Sequence, residues 1–149
     1  MEKTLEISIL IPTLNAASVL GKCLSSIAAQ DYPKNKTEII VADGGSTDDT
    51  MLIAKKYGAK IYQNPLKTGE AGKAVALRQA QGELVALIDS DNLLPDKNWL
   101  KKMVGPFSDP EIIGSEPWEF TYRESDGFID RYCALMGMND PLCYFLGNY

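Results

Sequence analysis

Glu83-Leu84-Val85-Ala86-Leu87-Ile88-Asp89-Ser90-Asp91-Asn92 is an apolar run that stops abruptly at two carboxylates one residue apart. Consecutive apolar residues between polar boundaries predict a strand covered on both faces, as in a parallel sheet. Open α/β sheets bind ligands at the carboxyl ends of their strands, so Asp89 and Asp91 are expected on a turn where their oxygens converge. Two carboxylates facing one another repel unless a cation or proton sits between them. The pair is therefore a candidate site for a hard divalent cation, Mg²⁺ or Mn²⁺. Taken alone, the same triplet also describes a solvated acidic turn, and the rest of the chain has to decide between the two.

Working outward, residues 72–81 are Ala-rich and predict a helix with Lys73 in its first turn, Gly82 at its end and the acid-tipped strand immediately after. At the start of the chain, Ile7-Ser8-Ile9-Leu10-Ile11 is β-rich and closes on Pro12, which cannot continue a central ladder. The loop Pro12-Thr13-Leu14-Asn15 follows, with Asn15 as the expected N-cap of a helix over residues 16–29 carrying Val19, Leu20, Leu24 and Ile27 at helical spacing. A second strand, Glu38-Ile39-Ile40-Val41-Ala42, runs into Asp43-Gly44-Gly45-Ser46-Thr47-Asp48-Asp49-Thr50. The glycines permit a sharp turn there, and Ser46 or Thr47 is expected to cap a helix that Gly58 ends. A short strand, Lys60-Ile61-Tyr62-Gln63, leads to the turn at Asn64-Pro65. Strands alternating with helices at this spacing predict an α/β fold, a doubly wound and mostly parallel sheet with right-handed crossovers. The loops after Ile11, Ala42 and Ile88 then share one face.

With 149 residues the chain has the size of one domain. A net charge of -5 argues against a nonspecific nucleic-acid binder, so no nucleic-acid partner is expected. It leaves phosphate ligands open, because a metal or a helix N-terminus supplies positive field locally. No His is present, which excludes His-based zinc sites, triads and imidazole bases. Cys23, Cys133 and Cys143 are too few for a disulfide framework. The N-terminus lacks a signal-peptide pattern, and no segment has the length to span a bilayer. A cytoplasmic setting is expected, with the cytoplasmic face of a membrane as the other place it would act.

After Asn92 a helix over residues 96–104 is expected, with Trp99, Leu100 and Met103 on one face, then a strand within residues 112–122 that carries Trp118 and Phe120. The final stretch, residues 128–149, is rich in Tyr, Phe, Met, Leu and Cys and predicts two helices broken at Pro141. It reads first as core packed on the sheet or half of a surface groove, next as an interfacial contact with a membrane, and last as a Cys133/Cys143 metal site.

Together these segments resemble the family-2 glycosyltransferases, with their nucleotide-sugar-binding GT-A fold. The resemblance covers residues 7–92 and rests on Ile11-Pro12-Thr13-Leu14-Asn15, Val41-Ala42-Asp43-Gly44-Gly45-Ser46-Thr47-Asp48-Asp49-Thr50, Gly82-Glu83 and Asp89-Ser90-Asp91 in that order. It implies that Pro12, Thr13 and Asn15 border the nucleotide pocket, that Asp43 reaches the base or ribose, and that Lys73 lies near the base or phosphates. It implies further that Asp89 and Asp91, with Ser90 between them, hold Mn²⁺ or Mg²⁺ against the diphosphate of a UDP-sugar or GDP-sugar. Three departures stand out: Ala16 replaces a frequent Glu, Gly44 a frequent second Asp, and Ala74 and Ala76 a usual Asn and Gly. They bear on which base is bound. On this reading, residues 1–92 form the donor half and residues 93–149 begin an acceptor side that ends short, with a glycan or lipid-linked molecule as acceptor.

Inverting members need a carboxylate base for the acceptor hydroxyl. Asp140, in Asn139-Asp140-Pro141, is the candidate, beside Asp126 and Asp130, and it also fits as the cap of a helix begun at Pro141. Two rival classes remain: a sugar-phosphate nucleotidyltransferase, which would want a basic glycine-rich loop after the first strand, and a nucleotide-binding module without catalysis. A dinucleotide-binding Rossmann domain is excluded, since no Gly-x-Gly-x-x-Gly follows that strand.

Overall fold

The structure, a computed structural model, describes residues 4–117 together with 127–128. The first compact unit, Met1–Ser108, contains a four-stranded sheet. Its elements are β1 (Ile7–Thr13), α1 (Ala17–Ala28), a 3₁₀ turn (Lys34–Lys36), β2 (Thr37–Asp43), α2 (Thr50–Lys56), β3 (Lys60–Gln63), α3 (Gly69–Leu77), β4 (Leu84–Leu87), α4 (Trp99–Val104) and a second 3₁₀ turn (Gly105–Ser108). The strand order is β3-β2-β1-β4 and every pairing is parallel. The alternation of strand and helix read from the sequence is the one observed.

β1 is the axis of the sheet. Ile7, Ile9 and Ile11 enter a core cluster with Leu20, Cys23, Leu24 and Ile27 of α1. Leu10, on the other face, clusters with Ile40 and Ala42 of β2 and Ala76 of α3. Because both faces are covered, the strand reads as a continuous apolar run rather than an alternation.

β4 departs from its expected burial on both faces. Leu84 and Ala86 are half-buried, whereas Val85 is 40% and Leu87 59% exposed. The reason is position: β4 pairs with β1 alone among the described strands, and α3 packs on β1 and β2. Among the described strands, the acid-tipped run is thus at the edge, with one face more covered than the other.

Two helix starts also depart from expectation. Asn15 does not cap α1: the cap position is Ala16, without a side-chain bond, while Asn15 takes a left-handed φ of 50°. Nor do Ser46 and Thr47 cap α2, whose cap position is Asp49. Instead the loops after β1 and β2 satisfy one another. Asn15 N–H donates to Ser46 Oγ (2.8 Å), Thr47 N–H to Asn15 Oδ1 (2.9 Å), Ala16 N–H to Thr50 Oγ1 (2.8 Å) and Ala17 N–H to Asp48 Oδ2 (3.0 Å). The orphan donors of α1 are filled from a neighbouring loop. α3 begins earlier than expected, at Gly69, because Thr68 accepts from Ala71 N–H as its cap, which moves Lys73 to the second turn.

At the opposite end of the sheet, Gly82 makes the entry to β4 possible. Its N–H donates to Ser8 Oγ at 2.8 Å, and Ser8 in turn donates to Glu38, which is paired with Lys60 at 2.8 Å. A Cβ at this glycine would lie 2.6 Å from Ser8 N and 2.8 Å from Ile7 C, both backbone atoms of β1.

Trp99, Leu100 and Val104 pack on the α1 side of the core. In the second unit, Asp109–Tyr149, described residues 112–117 form no regular element. Trp118, Phe120 and the expected helices of the last stretch lie outside the described residues. Among the described residues, no helix is long and apolar enough to cross a membrane.

Replacing Gly82 by Ala is expected to cost about 2 kcal/mol or more, as overpacking against backbone that cannot yield. Gly69→Ala, where an added Cβ meets nothing within 4 Å, is expected to be neutral or stabilising. Urea denaturation of the two variants, with unchanged slopes, checks the contrast.

Candidate functional site at the carboxyl edge of the sheet

Parallel pairing brings the strand ends together. Thr13 stands opposite Asp43 and Asp43 opposite Gln63, while Ile88 N–H continues the β4 ladder to Leu10 O at 3.1 Å. The loops bearing Pro12, Thr13, Asn15, Asp43, Asp89, Ser90 and Asp91 therefore leave one edge of the sheet, as the sequence led us to expect.

Asp43 is 4% exposed and its carboxylate is fully engaged. Oδ2 accepts from Gly45 N–H (2.9 Å) and Ser46 N–H (2.8 Å), and Oδ1 from the hydroxyls of Ser46 and Thr13 (3.1 Å for Thr13). Burial pushes the acid up, but the hydrogen bonds from Ser46, Gly45 and Thr13 outweigh it and hold the carboxyl below its ordinary range. Four partners fill the lone-pair sites of a carboxylate, so in this structure Asp43 builds the turn after β2.

Gly44 follows in a tight place. A Cβ there would meet Leu14 Cδ1 and Lys67 Cα, each at 3.3 Å, so any side chain at this position requires its neighbours to give by a few tenths of an ångström. Gly72 is tighter still: its Cβ would lie 2.8 Å from Pro12 Cβ and 3.1 Å from Asn64 Nδ2. That glycine lets α3 approach the end of β1 and carries Lys73, the next residue, toward the acidic loop. Asn64, 2% exposed, donates its N–H to Asp43 O (2.7 Å) and its amide to Thr68 O (2.9 Å). Neither Gly72 nor Asn64 stood out as a site residue in the sequence, because close approach between elements leaves no local signal.

The Asp89-Ser90-Asp91 triplet forms a turn closed by Asn92. Asp89 N–H donates to Asn92 Oδ1 (3.0 Å) and Asn92 N–H to Asp89 O (3.0 Å). Lys73 Nζ lies 3.0 Å from Asp89 Oδ1 in a half-exposed ion pair. Both aspartates bear on one buried thiol: burial pushes Cys23 up to about 11, and the charges of Asp91 and Asp89 add to it. Cys23 is therefore a protonated donor, 3.7 Å from Asp89 O. Among the described residues, no three His, Cys, Asp or Glu side chains converge as a self-contained metal cage. Asp89 and Asp91 are two exposed carboxylates on one turn, hard oxygen donors of the chemistry that would suit a divalent cation shared with phosphate oxygens. Asp140, Cys133 and Cys143 lie outside the described residues.

Since Asp43 is held below its ordinary pKa, its contribution to stability is complete above pH about 4. It is lost as pH falls through the lowered folded-state value. Asp43→Asn is expected to lower stability at pH 7 by about 3 kcal/mol, two charge-assisted bonds at about 1.5 each. The same change should flatten the acid limb of stability against pH, measured by urea denaturation at a series of pH values.

Comparison with known proteins matches this architecture. The model of "Glycosyl transferase family 2" covers residues 8–131. Glycosyltransferase AglE of Haloferax volcanii is 29% identical over 140 residues, spanning 89% of this chain and 45% of that protein. The Staphylococcus aureus poly(ribitol-phosphate) beta-N-acetylglucosaminyltransferase TarS is 39% identical over 103 residues, 65% of this chain and 18% of TarS. The structure of S. aureus TarS 1–349 in complex with UDP-GlcNAc superposes with a TM-score of 0.64 at 29% identity, over 80% of this chain and 38% of that one. The mannosyltransferase PcManGT of Pyrobaculum calidifontis, solved with GDP-Man and Mn²⁺, gives 0.66 at 29% identity, over 72% and 34%. The chain thus spans less than half the length of these relatives, and its sheet is that of the GT-A fold. With a family model matched from Ser8 onward across the sheet and its acidic loop, the chain belongs to glycosyl transferase family 2.

Proposed function

We propose that this chain is the donor-binding part of a glycosyltransferase that moves a sugar from a nucleoside-diphosphate sugar to an acceptor hydroxyl or phosphate with inversion. The observation that carries the reading is the Lys73–Asp89 pair at 3.0 Å, set beside Asp91 on the turn after β4. A diphosphate needs positive charge, and a metal needs hard anionic oxygens; this edge offers a cation and two carboxylates together. Solved relatives holding UDP-GlcNAc in one case and GDP-Man with Mn²⁺ in another support a nucleotide-sugar donor and a divalent ion.

On this reading Asp89 and Asp91 hold Mn²⁺ or Mg²⁺. Such an ion, when bound, acts as a Lewis acid that stabilises the negative charge developing on the departing diphosphate. Lys73, paired with Asp89, would supply a second positive group beside the same oxygens. The backbone at Pro12 and Thr13 and the loop at Asn15 border the nucleoside, with Asp43 at the end of β2 reaching the base or ribose. The sugar–oxygen bond to the diphosphate breaks with its electron pair on the leaving group. The acceptor oxygen attacks from the opposite side and gives its proton to a carboxylate, for which Asp140 remains the candidate. A glycan or a lipid-linked molecule is the acceptor class this reading favours, with contact to the cytoplasmic face of a membrane in the lipid-linked case.

A panel of UDP- and GDP-sugars, each with and without Mn²⁺, tests the reading by thermal shift. One of them at a hundred times its dissociation constant should stabilise the protein by about 2.7 kcal/mol; no shift across the panel sinks the donor site. Asp91→Ala should abolish the Mn²⁺-dependent part of that shift, and full retention would leave the triplet as a turn. In the full-length protein, Asp140→Asn should stop transfer while sparing donor binding, and unchanged turnover would return Asp140 to a capping role.

A further inference from the structure

Residues 88–98, which carry both aspartates, contain no helix or strand. Their backbone is held instead by a polar row on and just past α1. Cys23 Sγ donates to Asp89 O at 3.7 Å. Ser26 Oγ accepts from Leu94 N–H at 3.1 Å while donating to Cys23 O at 2.7 Å. Gln30 accepts from Leu100 N–H through Oε1 at 3.0 Å and donates through Nε2 to Asp96 O at 2.7 Å. Asp31 N–H adds a bond to Lys97 O at 2.7 Å.

The row is not explained by packing alone. Its neighbours on α1, Leu20, Leu24 and Ile27, are apolar and buried, and Gln30 is only 5% exposed. A buried amide costs free energy unless both ends are bonded, and both ends of Gln30 are bonded to the acid-bearing segment or its continuation. The spacing of Cys23, Ser26 and Gln30, three residues and then four, places all of them on one side of the helical path. Each meets the segment at a successive point, Asp89, Leu94 and then Asp96 with Leu100.

We propose that Cys23, Ser26 and Gln30 are positioning residues: they fix the backbone of residues 89–100 so that the carboxylate of Asp89 is held against Lys73 and that of Asp91 stays beside it on the same turn. The proposal rests on the donor-site reading above and deepens it, assigning to α1 the task of preorganising the two carboxylates. Groups that orient metal ligands from behind are worth about 10–100-fold in metal affinity.

The test is Mn²⁺ affinity, measured from the electron paramagnetic resonance of free Mn²⁺ with UDP or GDP present, beside nucleotide affinity in EDTA. Ser26→Ala, Gln30→Met and Cys23→Ala should each weaken Mn²⁺ by about 10-fold or more and leave metal-free nucleotide affinity unchanged. Cys23→Ser, which keeps a donor toward Asp89 O, should recover most of the loss. Folded variants with wild-type Mn²⁺ affinity would overturn the proposal, as would a uniform loss of nucleotide and metal binding, the mark of a purely structural role. Amide exchange of the wild-type chain supplies a check that needs no variant: the N–H groups of Leu94 and Leu100 should be protected, and exchange at the free-chain rate refutes the row. If those amides are protected but the wild type binds no Mn²⁺ with any nucleotide, the donor-site reading fails, and the assignment to metal positioning fails with it.

Discussion

Everything at the candidate site depends on β1 being paired in parallel on both sides while covered on both faces. Parallel register with β2 and β4 puts the ends of three strands, and through β2 a fourth, at one edge. Slipping any of these strands by one residue would exchange its two faces. On β1 that would put Leu10 where Ile9 and Ile11 now pack against α1. Core packing therefore fixes the position of Thr13, Asp43 and Asp89 to within a residue, before any polar contact is made.

The polar contacts then set the loops. The two loops after β1 and β2 share their hydrogen bonds, with Asn15, Ser46, Asp48 and Thr50 supplying one another's acceptors. Asp43 closes the second loop on itself. This division of labour has a consequence for the chemistry: the buried acid, Asp43, stays ionised because neutral N–H and O–H donors solvate its charge. The exposed acid, Asp89, is paired instead with a charged group on a long side chain, the Lys73 ammonium. Buried and exposed carboxylates on one edge thus take different roles because their partners differ.

Close approach is the other constraint. Gly72 against Pro12 and Gly82 against Ser8 bring α3 and the start of β4 onto β1 at distances that a methyl group would block. The first places Lys73 near the acids; the second sets where β4 begins and so where it ends. Gly44 is a milder case, since an added Cβ would press on Leu14 and Lys67 at 3.3 Å.

Much of this was legible in the sequence. The alternation of strand and helix, the acids at strand ends and the family resemblance all follow from local pattern: period, turn residues and motif spacing are written in consecutive residues. The exposure of Val85 and Leu87 was not, because an apolar run has the same letters at the edge of a sheet as at its centre. The caps were misassigned for a related reason. Asn15, Ser46 and Thr47 have the side chains of N-caps, and only the juxtaposition of two loops decided that they would bond across rather than along the chain. What the sequence determined by itself is the set of chemical groups and the end of the sheet they occupy. Which carboxylate is buried among hydrogen-bond donors, which is exposed and paired with Lys73, and that α1 holds the acid-bearing segment through Cys23, Ser26 and Gln30 were decided by tertiary contacts between residues about 30 to 70 positions apart, distances over which local propensity carries no information.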